Sequence, residues 1–413
     1  MPARLPFHTM AKPVGSKCNL DCTYCFYLEK EHLYPTATSH RMNAETLEAY
    51  VRDHIAAQPG EIVSFTWQGG EPTAAGLDFF RAVVALQQRH ASGKKIENAL
   101  QTNATLLDDA WGAFLREHRF LVGVSLDGPR HLHDAYRVDK GGQPTFDRVL
   151  QGIALLKRHG VEFNTLTTVH RRNATAPLDV YRFLRAQGSG YLQFIPIVER
   201  DAATAAGSPL WLAPPPDHED AAALDARVTP WSVRPADYGA FLCAIFDEWV
   251  QRDVGRVFVQ HFDTALANWL GEPAGLCVFS ATCGRALAVE HNGDVFSCDH
   301  YVYPRYRLGN LLNTSLAELV DSAGQQAFGA AKSATLPRYC RECEVRFACH
   351  GECPKHRFLQ TPHGEPGLNY LCAGYKKFFT HIRPAMATMA ALLRHGQPPA
   401  AIMALPRRMW LRH

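Results

Sequence analysis

Six short runs, mostly rich in Val, Ile, Phe and Thr, punctuate the first half of the chain: "FHTMAKP", "EIVSFTW", "ENALQTN", "FLVGVSLDG", "VEFNTLTTV" and "YLQFIPIV". Each has strand length and is bounded by turn signals. Between them lie the helical stretches "LDFFRAVVALQQRHA", "DDAWGAFLREH", "TFDRVLQGIALLKRHG" and "PLDVYRFLRAQG". In the third of these, Phe146, Val149, Leu150 and Ile153 follow i, i+3, i+4, i+7, and Gly160 supplies a C-terminal stop. Repeated β-α units predict an α/β fold with a parallel sheet and right-handed crossovers, either open or curled into a partial barrel. Ligands of such folds gather at the C-terminal ends of the strands.

The unusual residues fall at those ends. A loop bearing Cys18, Cys22 and Cys25 follows the first strand, "GGEP" (Gly69 to Pro72) follows the second, Asn103 ends the third, and Ser125 and Asp127 end the fourth. All are expected at one rim. Residues 199–236, rich in Ala and Pro, read as an extended connection. A helix over about 238–252 follows, and Asn292-Gly293 between two alternating runs signals a hairpin whose second strand delivers Cys298. The stretch beyond Pro384 reads as a helix and then a basic end. Three regions result: 1–235, 236–384 and 385–413.

The chain has 413 residues, 46% apolar and 20% charged, enough for a large core with an appendage. A net charge of +3 leaves no strong footprint for nucleic acid. The N-terminal stretch lacks a signal-peptide apolar region, and no run of eighteen apolar residues suggests a membrane span. A cytoplasmic protein is expected, in which twelve cysteines mean metal ligands or redox chemistry rather than disulfides. Cys243 sits in the apolar helical pattern "YGAFLCAIFDEWV" and reads as core.

The other cysteines divide into three near the N-terminus and eight beyond residue 276: Cys277, Cys283, Cys298, Cys340, Cys343, Cys349, Cys353 and Cys372. Eight fill two four-ligand sites. Spacing alone leaves structural zinc and iron-sulfur clusters both open for them. The C-x3-C-x2-C triplet is one ligand short of either, and an iron-sulfur cubane with one open iron can bind a small molecule there.

"CNLDCTYC" followed one β-α unit later by "GGEP" resembles the radical S-adenosylmethionine superfamily. Over nearly the whole chain, "CNLDCTYCFY", "TWQGGEPT", "LQTNATLLDD", "LVGVSLDGP", "LQFIPIVE", "GDVFSCDHYV", "RLGN" and "GLNYLCAGY" resemble the anaerobic sulfatase-maturating enzymes, with their twin-cluster SPASM domain. One departure is Ala104, where those enzymes usually carry glycine after "QTN". The resemblance implies a partial (β/α)6 TIM-like barrel over 1–235, a cysteine-rich iron-sulfur domain over 236–384 and a helical tail. It also implies three [4Fe-4S] clusters. Cys18, Cys22 and Cys25 would hold the first, Cys277, Cys283, Cys298 and Cys353 the second, and Cys340, Cys343, Cys349 and Cys372 the third.

S-adenosylmethionine would chelate the open iron through its amino and carboxylate groups. Tyr24 would lie against its adenine, Gly69 and Gly70 would let the backbone approach its methionyl part, and Glu71 would accept from its ammonium. Ser125 and Arg137 would hold ribose and carboxylate, with Val198 an apolar wall. An electron donor such as flavodoxin or ferredoxin would start cleavage to a 5′-deoxyadenosyl radical, which takes a Cβ hydrogen from a Cys or Ser of a sulfatase to give Cα-formylglycine. Asp299, beside Cys298, is the expected base. An ordinary Asp faces a thiol mismatched by roughly 4 to 5 pKa units, a gap that burial of the Asp or radical acidification of the thiol would narrow. Gln68 and Tyr27 are expected near the substrate peptide. Another SPASM enzyme acting on a small peptide is the nearest alternative, disfavoured because only seventeen residues precede Cys18. A zinc-stabilised scaffold explains the eight later cysteines but not the incomplete triplet.

Overall fold

The six apolar runs fold as strands: β1 His8–Ala11, β2 Ile62–Trp67, β3 Lys95–Thr102, β4 Leu121–Ser125, β5 Phe163–Val169 and β6 Tyr191–Pro196. In this computed structural model, which describes residues 1–34, 39–201, 210–216 and 227–406, they pair in parallel and in chain order. Helices Leu77–His90, Asp109–Glu117, Phe146–His159 and Pro177–Ala186 return the chain between strands. Gly160 ends the third at φ +65°, a left-handed C-cap. The helix Ala44–Ala57 had no counterpart in the pattern reading; its N-cap Asn43 accepts from the Thr46 amide. Trp67 of β2 meets Phe80, and Phe80 in turn meets Trp111 and Phe120, so the sheet and its helices share one aromatic core.

Strands β7 Phe258–Val259, β8 Ala286–Val289, β9 Asp294–Phe296 and β10 Arg307–Asn310 extend the same sheet. Its order is β10-β9-β8-β1-β2-β3-β4-β5-β6-β7. The Asn292-Gly293 hairpin forms, with Gly293 at φ +86°, and β8 lies parallel to β1 with Ala11 opposite Val289. The cysteine-rich region therefore continues the barrel's own sheet and brings the ends of β1 and β8 side by side.

Helix Pro235–Arg252 carries the buried Cys243 and packs on helix Cys372–Arg394. The approach is backbone to backbone, since a Cβ on Gly374 would stand 2.2 Å from the Pro235 carbonyl oxygen. The second helix runs through the break expected at 384/385 with Pro384 inside it. The basic end 407–413 and much of the 199–236 connection lie outside the described residues. No helix among the described residues is long and apolar enough to cross a membrane.

Candidate active site

The loop after β1 is built against the "GGEP" turn. Gly70 donates its amide to the Gly15 carbonyl and Glu71 to that of Lys17, each at 2.8 Å. A Cβ at Gly70 would stand 1.9 Å from the Lys17 carbonyl oxygen, so only glycine lets the turn dock one residue before Cys18. The contact that requires the glycine is thus with the cysteine loop itself.

Glu71 is fully buried, and its carboxylate accepts from the Thr73 amide at 3.1 Å, the Thr73 and Thr102 hydroxyls at 2.7 Å and the Asn103 amide at 2.8 Å. It ties the turn to the end of β3. Burial pushes its carboxyl upward even so. Asn103 also reaches Asn19 of the loop at 2.9 Å. Ala104 takes the left-handed conformation at φ +60°, the geometry for which glycine is the usual residue.

Arg137 and Asp127 form a buried two-point ion pair, Nε to Oδ2 at 2.9 Å and Nη2 to Oδ1 at 3.1 Å. Tyr24 donates its hydroxyl to the same carboxylate at 2.5 Å, and the Thr168 amide donates at 2.9 Å. The pair therefore fixes the middle of the cysteine loop on β4 and β5. Ser125 ends β4 with no side-chain partner among the described residues, whereas Val198 is buried in the core beyond β6. Burial pushes the Cys18 and Cys22 thiols up to about 12. Ionising them at neutral pH needs bound metal cations, which the iron ions of a cluster would supply.

Asp299 is buried and ion-paired with Lys12, itself buried immediately after β1. Lys12 also donates to Gln68 at 2.7 Å, and Gln68 donates to Gln101 at 2.9 Å. The Lys12 ammonium stands 4.3 Å from the Tyr27 ring centroid, and Tyr27 donates its hydroxyl to Glu290. Tyr27 packs with Ala288, Phe296 and Val302 in a small apolar cluster that also takes in Cys25 and Phe26. That cluster seats the end of the cysteine loop on the β8–β9 hairpin. Burial pushes the Asp299 carboxyl up, but Lys12, His300 and Lys355 outweigh it and the net displacement is downward. Burial therefore does not bring this carboxyl toward a thiol.

Four of the eight later cysteines share a cavity, and the other four lie within electrostatic reach of one another. A cavity is lined by Cys340, Cys343, Cys349 and Cys372, with Tyr339 and Asn369 beside them. Cys372 is the first residue of its 23-residue helix, whose dipole favours a thiolate against the burial that pushes its thiol up to about 11. In the other group, burial first, then the charges of Cys277 and Cys353, push the Cys298 thiol upward; Cys277 acts on Cys283 in the same way. All twelve thiols are free. Lys12, the Asp127–Arg137 pairing and Gln101 escaped the sequence reading. The one available signal was a lysine in the apolar, strand-ending context "HTMAKPVG".

The profile of the Radical SAM superfamily matches residues 13–184, and that of SPASM, an iron-sulfur cluster-binding domain, matches 281–344. Fold and site together define a radical SAM enzyme with a partial barrel and a C-terminal SPASM domain. More narrowly, the chain belongs to the anaerobic sulfatase-maturating enzymes. It is 48% identical over 402 residues to a serine-type member from Bacteroides thetaiotaomicron, covering 97% of this chain and 95% of that one. It is 34% identical over 388 residues to a cysteine-type member from Clostridium perfringens, covering 93% and 98%. The solved structure of native anSMEcpe with bound AdoMet and Cp18Cys peptide superposes with a TM-score of 0.80 at 34% identity, covering 94% of this chain and 99% of that one. SuiB of Streptococcus suis bound to precursor peptide SuiA shares the fold, with a TM-score of 0.56 at 14% identity, covering 89% and 76%. Membership sets the cofactors as three [4Fe-4S] clusters and S-adenosylmethionine and displaces the zinc-scaffold reading.

Proposed function

We propose that this enzyme oxidises the Cβ of a Cys or Ser in a sulfatase's active-site motif to Cα-formylglycine, with Asp299 as the base. The observation that carries the reading is the buried Asp299, held by Lys12 beside Gln68 and Tyr27 where the cysteine loop meets the β8–β9 hairpin. We assign Cys18, Cys22 and Cys25 to the reactive cluster. Cys277, Cys283, Cys298 and Cys353 form one auxiliary set, and Cys340, Cys343, Cys349 and Cys372 the other. Tyr24, Gly69, Gly70, Ser125, Arg137 and Val198 surround the cosubstrate, while Glu71 serves it by holding the turn to β3.

When bound, the reactive cluster and S-adenosylmethionine together supply a radical that removes one hydrogen from the target Cβ. The chain's own residues then manage the proton. Lys12 keeps Asp299 ionised and aimed, so its carboxylate accepts the proton from the substrate's heteroatom. Because Lys12 holds the Asp299 carboxyl low, the match must come from the substrate side, where a Cβ radical acidifies the attached thiol or hydroxyl. With one further electron passed on, for which an oxidised auxiliary cluster would be the acceptor, serine yields the aldehyde directly. Cysteine yields a thioaldehyde that water converts to the aldehyde and hydrogen sulfide.

We place the chain in the cytoplasm, where its twelve unpaired thiols fit the reducing conditions. A reduced flavodoxin or ferredoxin would be its electron donor. The test incubates reduced enzyme and S-adenosylmethionine with two sulfatase-motif peptides, one bearing Cys and one Ser, followed by mass spectrometry. Formylglycine in either peptide supports the reading, and its absence from both rejects it.

A further inference from the structure

Arg357 is among the most deeply buried large side chains of the protein, at 1% exposure, yet every hydrogen-bond partner of its guanidinium among the described residues is a neutral carbonyl. Nε donates to Gly351 at 3.0 Å and Nη1 to Lys332 at 2.6 Å, while Nη2 donates to His350 at 3.1 Å and Glu352 at 3.2 Å. The nearby Glu352 carboxylate is occupied by His356 at 2.9 Å and Asn369 at 2.6 Å. A buried cation whose hydrogen bonds all end on neutral oxygens is costly unless nearby charges compensate it, and the Glu352 carboxylate does so only from a distance, without a hydrogen bond to the guanidinium.

The backbone around Arg357 is arranged for it. His350, Gly351 and Glu352 are consecutive residues at φ +48°, +71° and +53°, and all three of their carbonyls point at the guanidinium. Two of them are not glycine, so the conformation is strained and needs a partner to hold it. These three residues are also the whole link between Cys349 and Cys353, which belong to different four-cysteine groups. The charge of Arg357 accordingly acts on thiols of both, Cys353 and Cys340 first, then on the Glu352 carboxylate and Cys349.

Lys332 is the companion. It too is buried, and its ammonium donates to the carbonyls of Cys277 and Val278 at 2.5 and 2.9 Å, with no carboxylate partner among the described residues. Its charge acts on Cys353, Cys277 and Cys283, all of one group.

We infer that Arg357 is a shared countercharge built between the two auxiliary cluster sites, raising the reduction potential of both, with Lys332 doing the same for the Cys277, Cys283, Cys298 and Cys353 site alone. This rests on the ligand assignment above. A cubane held by four thiolates is negatively charged and becomes more so on reduction, so an adjacent fixed cation favours the reduced form. Loss of the cation lowers the potential.

The experiment is an anaerobic redox titration of the three clusters, followed by electron paramagnetic resonance, on the full-length wild type, Arg357→Lys, Arg357→Met and Lys332→Met. Both auxiliary potentials should fall in Arg357→Met and stay near wild type in Arg357→Lys, with the reactive cluster unmoved as an internal control. Lys332→Met should lower one auxiliary potential and leave the other. Should Arg357→Met fail to load its clusters, Arg357→Gln, which keeps amide donors without the charge, takes its place and should lower both auxiliary potentials, while Lys332→Met tests the one-site effect separately. Unmoved auxiliary potentials in the loaded methionine variants overturn the inference, as does an equal shift in Arg357→Lys and Arg357→Met, which would trace the effect to lost hydrogen bonds. Wild type holding fewer than three cubanes overturns the ligand assignment itself.

Discussion

Lys12 and Asp299, 287 residues apart in sequence, meet as a buried ion pair between the end of β1 and the residue after Cys298. Removing the ammonium in Lys12→Met leaves a carboxylate buried without its cation, which costs on the order of 3–5 kcal/mol. Anaerobic denaturant unfolding of the reconstituted protein should show a loss of that size. Formylglycine yield should drop more than 5′-deoxyadenosine yield, since the base loses its anchor.

Gly70 tests the docking of the "GGEP" turn. A methyl group 1.9 Å from the Lys17 carbonyl oxygen cannot be accommodated without moving the backbone that leads into Cys18. Gly70→Ala should therefore lose the reactive cluster and keep both auxiliary ones. Iron analysis should fall from about twelve to about eight atoms per chain, counting four per cubane.

Glu71 accepts from four protein donors, so an amide there turns one acceptor into a donor facing another donor. Glu71→Gln should cost about 1–3 kcal/mol in the local structure and weaken S-adenosylmethionine binding accordingly. Calorimetric titration of the cosubstrate measures this, with the auxiliary cluster signals expected to stay unchanged.

Asp263, in the first turn of the helix Gln260–Leu270, supplies the pH dependence. Burial alone pushes its carboxyl up to about 7. It holds a proton more tightly in the folded chain than in the unfolded one, so folding is favoured at low pH and loses this contribution as pH rises from about 4 through about 7. Asp263→Asn should flatten that part of the stability profile and make the protein more stable than wild type at pH 8. Denaturant midpoints between pH 5 and pH 8 check the sign.

The elements that carry a local signature were legible in advance. Six strands, four crossover helices and the Asn292-Gly293 hairpin announce themselves by periodicity and turn residues, and the cysteines by their spacing. The pairing of β8 with β1 has no such mark. Ala286–Val289 is four residues long, and nothing in it specifies a partner nearly 280 residues earlier. Lys12 and Arg357 were hidden for the same reason: a buried cation is recognised by what surrounds it, and those surroundings come from distant segments. Glu71 shows the opposite case, a residue whose motif was plain while its carboxylate turned out to be engaged within the protein. The expected break at 384/385 followed Pro384, yet that proline sits within the helix Cys372–Arg394.

The measurement that bears most directly on the account is a paired assay of Asp299→Asn. Reduced enzyme, S-adenosylmethionine and a sulfatase-motif peptide are incubated, and 5′-deoxyadenosine and formylglycine are quantified from the same sample. Continued 5′-deoxyadenosine formation is expected, with formylglycine reduced by about 100-fold or more, the size expected for loss of a positioned base. Formylglycine at the wild-type yield would contradict that expectation.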